Sequence, residues 1–130
     1  MRRAALFFSV FIGGALGAVC RLCVCQASQH VFGGDFPWGV LCANMAGSFF
    51  MGLLMGRISC LKGDFTAITS FFATGFLGSF TTFSSYALDT VILWHTSHAI
   101  FSMVNAALNV MVCMALAAWG WRLGAMRKLF

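Results

Sequence analysis

Gly75-Phe76-Leu77-Gly78-Ser79-Phe80-Thr81-Thr82-Phe83-Ser84-Ser85-Tyr86 is the stretch on which the reading of this chain turns. It lies mid-way along an uncharged run from Phe65 to Leu88. A run of that length can cross a bilayer, since a span takes about 20 residues. Its middle, however, is composed like a loop. Two glycines are followed by a burst of hydroxyls, with Phe80, Phe83 and Tyr86 spaced three apart. Backbone that leaves the helix inside a membrane has to be buried in protein or line a polar path. A break in these surroundings points to an ion or solute site at membrane depth.

The rest of the chain supplies that membrane setting. Its 130 residues are 61% apolar, with a mean hydropathy of +0.91. Only 8% are charged, against about 25% in globular proteins. The expected fold is an all-α integral membrane protein of one domain, with four transmembrane helices and a break in the third. The spans are placed at residues 4–29, 37–56, 65–94 and 99–121, joined by connections at 30–36, 57–64 and 95–98. Nothing is left over for an aqueous domain. Arg2 and Arg3 ahead of an apolar stretch resemble a signal peptide. Cys20 and Arg21, however, stand where a small-residue cleavage site belongs, so the segment is read as a retained span.

Four spans put the N-terminus, the 57–64 connection and the C-terminus on one side. That side carries Arg2, Arg3, Arg57, Lys62, Arg122, Arg127 and Lys128. The opposite connections hold no Lys or Arg, and only Arg21, inside the first span, lies toward them. The positive-inside rule therefore places both termini in the cytoplasm. A basic stripe on an aqueous domain is missing, so nucleic acid is not a partner.

Polar groups inside spans are costly and each asks for a reason. Asn44 lies in the second span, with Ser48 one turn further on the same face. Ser102, Asn105, Asn109 and Cys113 make one stripe on the fourth, at spacings of three and four. For both sets two readings stand open: hydrogen bonds that glue helices together, or the wall of a water-accessible track. Arg21 has to be paired or reach an aqueous vestibule, and Asp89 can partner it, line an entrance or snorkel. The pairs Gly13/Gly17, Gly52/Gly56 and Gly120/Gly124 speak for close helix packing. Cys20, Cys23 and Cys25 look like a metal cluster, but Cys25 points away from the face the other two share. No second ligand pair completes a tetrahedral site. The spans contain no Glu, no HExxH and no Ser-His pair, so an enzyme has nothing to work with.

The track is uncharged and rich in donors: hydroxyls at Ser79, Thr81, Thr82, Ser84 and Ser85, and amides at Asn44, Asn105 and Asn109. Phenyl rings add positive edges. Both features favour an anion, and the lack of a fixed Lys or Arg mid-way avoids the tight binding that stalls conduction. Opened backbone around Gly78 to Thr81 would offer carbonyl oxygens, which suit a hard cation.

These residues resemble the Fluc/CrcB fluoride channels at four places. Residues 13–21 are similar to the family's GGxxGAxxR. Residues 36–49 resemble PWGTLxxNxxGS, and residues 75–86 resemble GxxGxxTTFSxF, the most specific of the four. Trp119-Gly120-Trp121-Arg122-Leu123-Gly124 resembles the close of the last span. The resemblance implies a fluoride-selective channel of the cell inner membrane that lets fluoride leave the cytoplasm passively. It also implies an antiparallel dual-topology dimer. On that basis Phe83 offers its ring edge to fluoride and Asn44 is the pore amide. Thr82 and Ser84 add hydroxyls, and Tyr86 and Asn109 complete the fluoride pathway. Gly78 and Thr81 give backbone oxygens to a structural Na⁺, while Arg21 and Asp89 belong to the vestibule.

The chain departs from the family pattern in its polar lining. Tyr86 stands at the second phenylalanine, Val40 at a threonine, and Asn105 and Asn109 at a tyrosine and a serine. The one-sided charge also departs from dual topology, which needs chains inserted both ways. The partner is therefore either a second copy or an inverted paralogue. Two other functions compete with the channel: a membrane subunit whose polar faces only hold helices together, and a small four-helix exporter of cationic drugs.

Overall fold

The computed structural model describes residues 2–96 and 99–126. Residues 97 and 98 of the last expected connection, and Arg127 and Lys128 of the charge argument, lie outside them. Every element among the described residues is helical. α1 is Arg2–Phe32 and α2 is Trp38–Ser59. α3 covers residues 66–80 and joins Thr66–Ile68, a π-helical stretch Thr69–Leu77 and a last turn Gly78–Phe80. α4 is Phe83–His95. α5 is Ala99–Met126, with a π-helical stretch Leu108–Val112 inside it. Among the described residues α1, α2 and α5 are each long and apolar enough to cross a membrane.

Small residues set how these helices meet. A Cβ on Gly52 or Gly56 would run into the backbone of Ala117 or Trp121, and one on Gly120 or Gly124 into that of Phe49 or Leu53. The two glycine pairs therefore form one reciprocal seam between α2 and α5. Gly13 and Gly17 do the same for α1, whose backbone lies against Phe71 and Phe76 of α3. Without a hydrophobic drive between helices in lipid, such close backbone approach is what dispersion and weak polar contacts require.

Among the described residues, polar side chains share the interior with apolar ones, and many large apolar side chains face outward. Phe7, Phe8, Phe11, Ile100, Met111 and Met114 are exposed, whereas Ser28, Asn44, Thr82, Ser102, Asn105 and Asn109 are buried. Every buried side-chain nitrogen or oxygen among the described residues has a hydrogen-bond partner. In hydrocarbon an unpaired one costs several kcal/mol.

Helical conformation stops at Phe80. Thr81 (φ −85°, ψ 155°) and Thr82 (φ −150°, ψ 119°) are extended, and the chain turns helical again at Phe83. The glycines that make this segment look like a loop are themselves helical, Gly78 at φ −62° and ψ −32°. Gly75 serves packing instead: a Cβ there would lie 2.9 Å from the Val10 carbonyl oxygen and 3.1 Å from Gly13. The residues that leave the helix are two threonines, whose branched side chains lower helix propensity.

Candidate functional site

Two extended residues among apolar helices would strand their peptide groups. Asn44 of α2 prevents this at Thr82. Its Oδ1 accepts the Thr82 N–H at 2.8 Å, and its Nδ2 donates to the Thr82 carbonyl at 3.1 Å. The side-chain amide thus pairs with one residue as a neighbouring strand would. The Thr82 hydroxyl caps α4, accepting the Ser85 N–H at 3.2 Å, and lies 3.2 Å from both Ser84 Oγ and Ser85 Oγ. An N-cap of this type contributes about 1 kcal/mol. Gly47, one turn after Asn44's predecessor on α2, leaves no room for a side chain, because a Cβ there would meet the Thr81 methyl. Asn44 and Gly47 together bring α2 directly onto the interruption.

The second Nδ2 hydrogen of Asn44 goes to Asn109 Oδ1 on α5, at 2.8 Å. Asn109 in turn donates to the Asn105 carbonyl at 3.1 Å and to Asn105 Oδ1 at 3.0 Å. Asn105 Nδ2 donates to Thr90 Oγ1 at 2.8 Å, and Thr90 donates to the Tyr86 carbonyl at 2.7 Å. Ser102 donates to the Thr90 carbonyl at 2.8 Å. The stripe on α5 is therefore divided. Ser102 and Asn105 are taken up in binding α5 to α4, and Asn105 is 1% exposed. Asn109 and Cys113 reach further, to an open cleft.

That cleft holds about 320 Å³ and is bounded by α2, α5 and the interruption. Its wall includes Asn44, Thr82, Phe83, Tyr86 and Asn109, five of the six residues expected on the ion pathway, together with Thr81. Ser84, the sixth, is exposed and hydrogen-bonded to the Thr82 hydroxyl rather than part of the wall. Gly47, Ser48, Met51, Val110, Cys113 and Ala117 complete it. Ser48 was legible from its register with Asn44. Met51, Val110 and Ala117 carry no sequence signal that separates them from other apolar residues. Phe83 is 77% exposed and packs edge-to-face with Tyr86, their centroids 5.3 Å apart and their planes at 68°. Among the described residues no Lys, Arg, Asp, Glu or His is in the wall.

Asp89 lies elsewhere. It lines a second cleft of about 230 Å³, with Cys25, Ser28, Gln29, Asp35 and the turn at residues 33–37. Arg21 is half-buried on α1 and does not line that cleft. The two residues expected at the vestibule are thus not brought together on one wall. At Gly78 and Thr81 the backbone has a helix end's character. The last carbonyls of a helix have no donor within it. That of Leu77 takes both the N–H and the hydroxyl of Thr81, each at 3.0 Å. The Thr82 N–H, which would otherwise close on Gly78, has turned to Asn44.

Residues 8–121 match the model of a family described as CrcB-like protein, Camphor Resistance (CrcB). A protein of Shewanella pealeana called fluoride-specific ion channel FluC is 36% identical over 116 residues, 88% of this chain and 91% of that protein. Proteins of the same name from Pseudoalteromonas translucida and Aeromonas salmonicida are 37% and 36% identical. They cover 88% and 91% of this chain and 95% and 94% of their own lengths.

Proposed function

The chain belongs to the CrcB-like family, and from that premise we propose that it is a fluoride channel which lets fluoride leave the cytoplasm passively. A channel of this kind is not an enzyme. The observation that carries the reading is the cleft shared by Asn44, Thr82, Phe83, Tyr86 and Asn109, residues from three separate helices and the interruption that precedes one of them. The positive ring edges of Phe83 and Tyr86, with the Thr82 hydroxyl and the Asn44 amide, give an anion attraction without a fixed positive charge. An ion attracted that weakly enters and also leaves. A wall without carboxylate or imidazole offers no group for coupling transport to protons, which supports passive flow. Asn44 holds the interruption open, and fluoride reaching it competes with Asn109 for one amide hydrogen.

α3 and α4 together form the remaining crossing of the membrane in this reading, with the interruption at mid-depth. Both termini face the cytoplasm, and the membrane is the cell inner membrane. A second subunit, antiparallel to the first, would cover the open side of the cleft, where Phe83 is exposed. The one-sided charge favours an inverted paralogue over a second copy. A cell that expresses this chain alone, exports fluoride normally and shows tagged termini on both sides would sink the paralogue. The reading includes a structural Na⁺ at the interruption, where the carbonyls of Gly78 and Thr81 would hold it, the Thr82 N–H having turned from Gly78 to Asn44. Such an ion would tie the broken backbone of two subunits. Replacing all Na⁺ by a large organic cation is expected to lower the melting temperature of the purified protein, and an unchanged melt removes the ion from the account.

The function itself is tested in a strain made fluoride-sensitive by loss of its own exporter. Expression of this chain, with its inverted paralogue where the pair is needed, is expected to restore growth in fluoride. Unchanged sensitivity with the protein present in the membrane contradicts the reading.

A further inference from the structure

An amide nitrogen carries two hydrogens, and on Asn44 both are spent. One goes to the Thr82 carbonyl at 3.1 Å and the other to Asn109 Oδ1 at 2.8 Å. The first belongs to the interruption itself. Together with the Thr82 N–H on Oδ1, it fixes the Asn44 amide through backbone groups alone, whatever side chain stands at residue 109. The second hydrogen is held only by a side chain. Asn109 turns its oxygen toward Asn44 because its nitrogen is taken by the Asn105 carbonyl, which can only accept. Both amides are buried and both line the cleft. The one Asn44 hydrogen not tied to backbone is therefore already covered by an oxygen from the facing helix.

We propose that Asn109 sets how tightly the pathway holds fluoride: its carbonyl oxygen is a tethered competitor for the Asn44 hydrogen that the ion takes. A hydrogen bond to an ion is about twice as strong as one between neutral groups, so fluoride can displace the Asn109 oxygen. The ion then gains the difference between two bonds and not the whole of one. Asn109 stays anchored to Asn105 through its nitrogen while its oxygen is displaced. The oxygen is thus at hand to take the Asn44 hydrogen back as the ion moves on. A bond that re-forms behind the ion speeds its departure, and conduction needs sites weak enough to leave.

This inference rests on the channel reading. Asn109→Ala removes the competing oxygen and leaves Asn44 pinned to Thr82, with its second hydrogen open to the cleft. In liposomes the fluoride concentration that half-saturates flux is expected to fall about fivefold, the worth of one buried hydrogen bond. The maximal rate is expected to fall with it, because the ion leaves more slowly. A variant that has only lost packing has a lower maximal rate and an unchanged half-saturation. Half-saturation that is unchanged or raised overturns the proposal. A second measurement needs no variant. In wild-type protein with ¹⁵N-labelled asparagine, fluoride is expected to move the side-chain signals of both Asn44 and Asn109, because the bond between them opens. Fluoride flux with the Asn109 signal unmoved defeats the proposal alone. Wild-type protein that passes no fluoride defeats the channel reading and the proposal with it.

Discussion

Asn44→Leu is expected to abolish fluoride flux and to destabilise the protein more than any other single change in the cleft wall. The substitution keeps the branched outline and removes three hydrogen bonds at once, two to the Thr82 peptide and one to Asn109. Each buried group left without a partner costs about 1–3 kcal/mol. Side-chain hydrogen bonds between membrane helices average nearer 0.6 kcal/mol when broken, because the freed groups find others. Here two of the three freed groups are backbone, held in an extended conformation between two helices, so the larger cost applies. A loss of about 3 kcal/mol or more is expected in a detergent melt. The interruption should then relax toward helix, closing the path. Flux in liposomes should fall by at least about 100-fold. Normal flux in Asn44→Leu would show that this amide neither holds the interruption nor meets the ion.

Phe83→Ala separates conduction from stability. The ring is 77% exposed on one chain and its contact within it is the edge-to-face pair with Tyr86. Little buried area is lost on truncation, so the melt of the single chain should move by less than about 1 kcal/mol. Flux should nevertheless fall about tenfold, if the ring edge attracts an anion as strongly as a ring face attracts a cation. Phe83→Leu refills the space without an aromatic edge and should conduct as poorly as alanine. A leucine variant with full flux would mean that bulk, not the positive edge, is what the position supplies.

The comparison of sequence with structure sorts by the kind of physics involved. Long apolar runs favour helices, because hydrocarbon admits little else, and among the described residues α1, α2 and α5 are long and apolar enough to cross a membrane. Polar residues in such runs stand out for the same reason, which is why most of the cleft wall was legible. The site of the interruption was less so. Glycines are the usual mark of irregular backbone, but Gly75 and Gly78 are helical and the chain opens at Thr81 and Thr82. What decides this is Asn44, a partner more than thirty residues away that can pair with a non-helical peptide. The choice between glue and track for the α5 stripe was also beyond a single sequence. It depends on Thr90, an ordinary hydroxyl whose part appears only once α4 and α5 are packed together. The π-helical stretches in α3 and α5 leave no mark in the apolar pattern at all. Arg21 and Asp89 paired naturally on paper as opposite charges, yet only Asp89 lines the cleft near the turn at residues 33–37.

The central claim is that the cleft at the interruption carries fluoride and discriminates against other halides. The most direct test is the rate at which purified protein, with its partner where one is needed, releases fluoride and chloride from the same liposomes under equal gradients. Rapid fluoride release with chloride retained is the predicted result. Retention of both ions, or release of both at similar rates, would contradict the account.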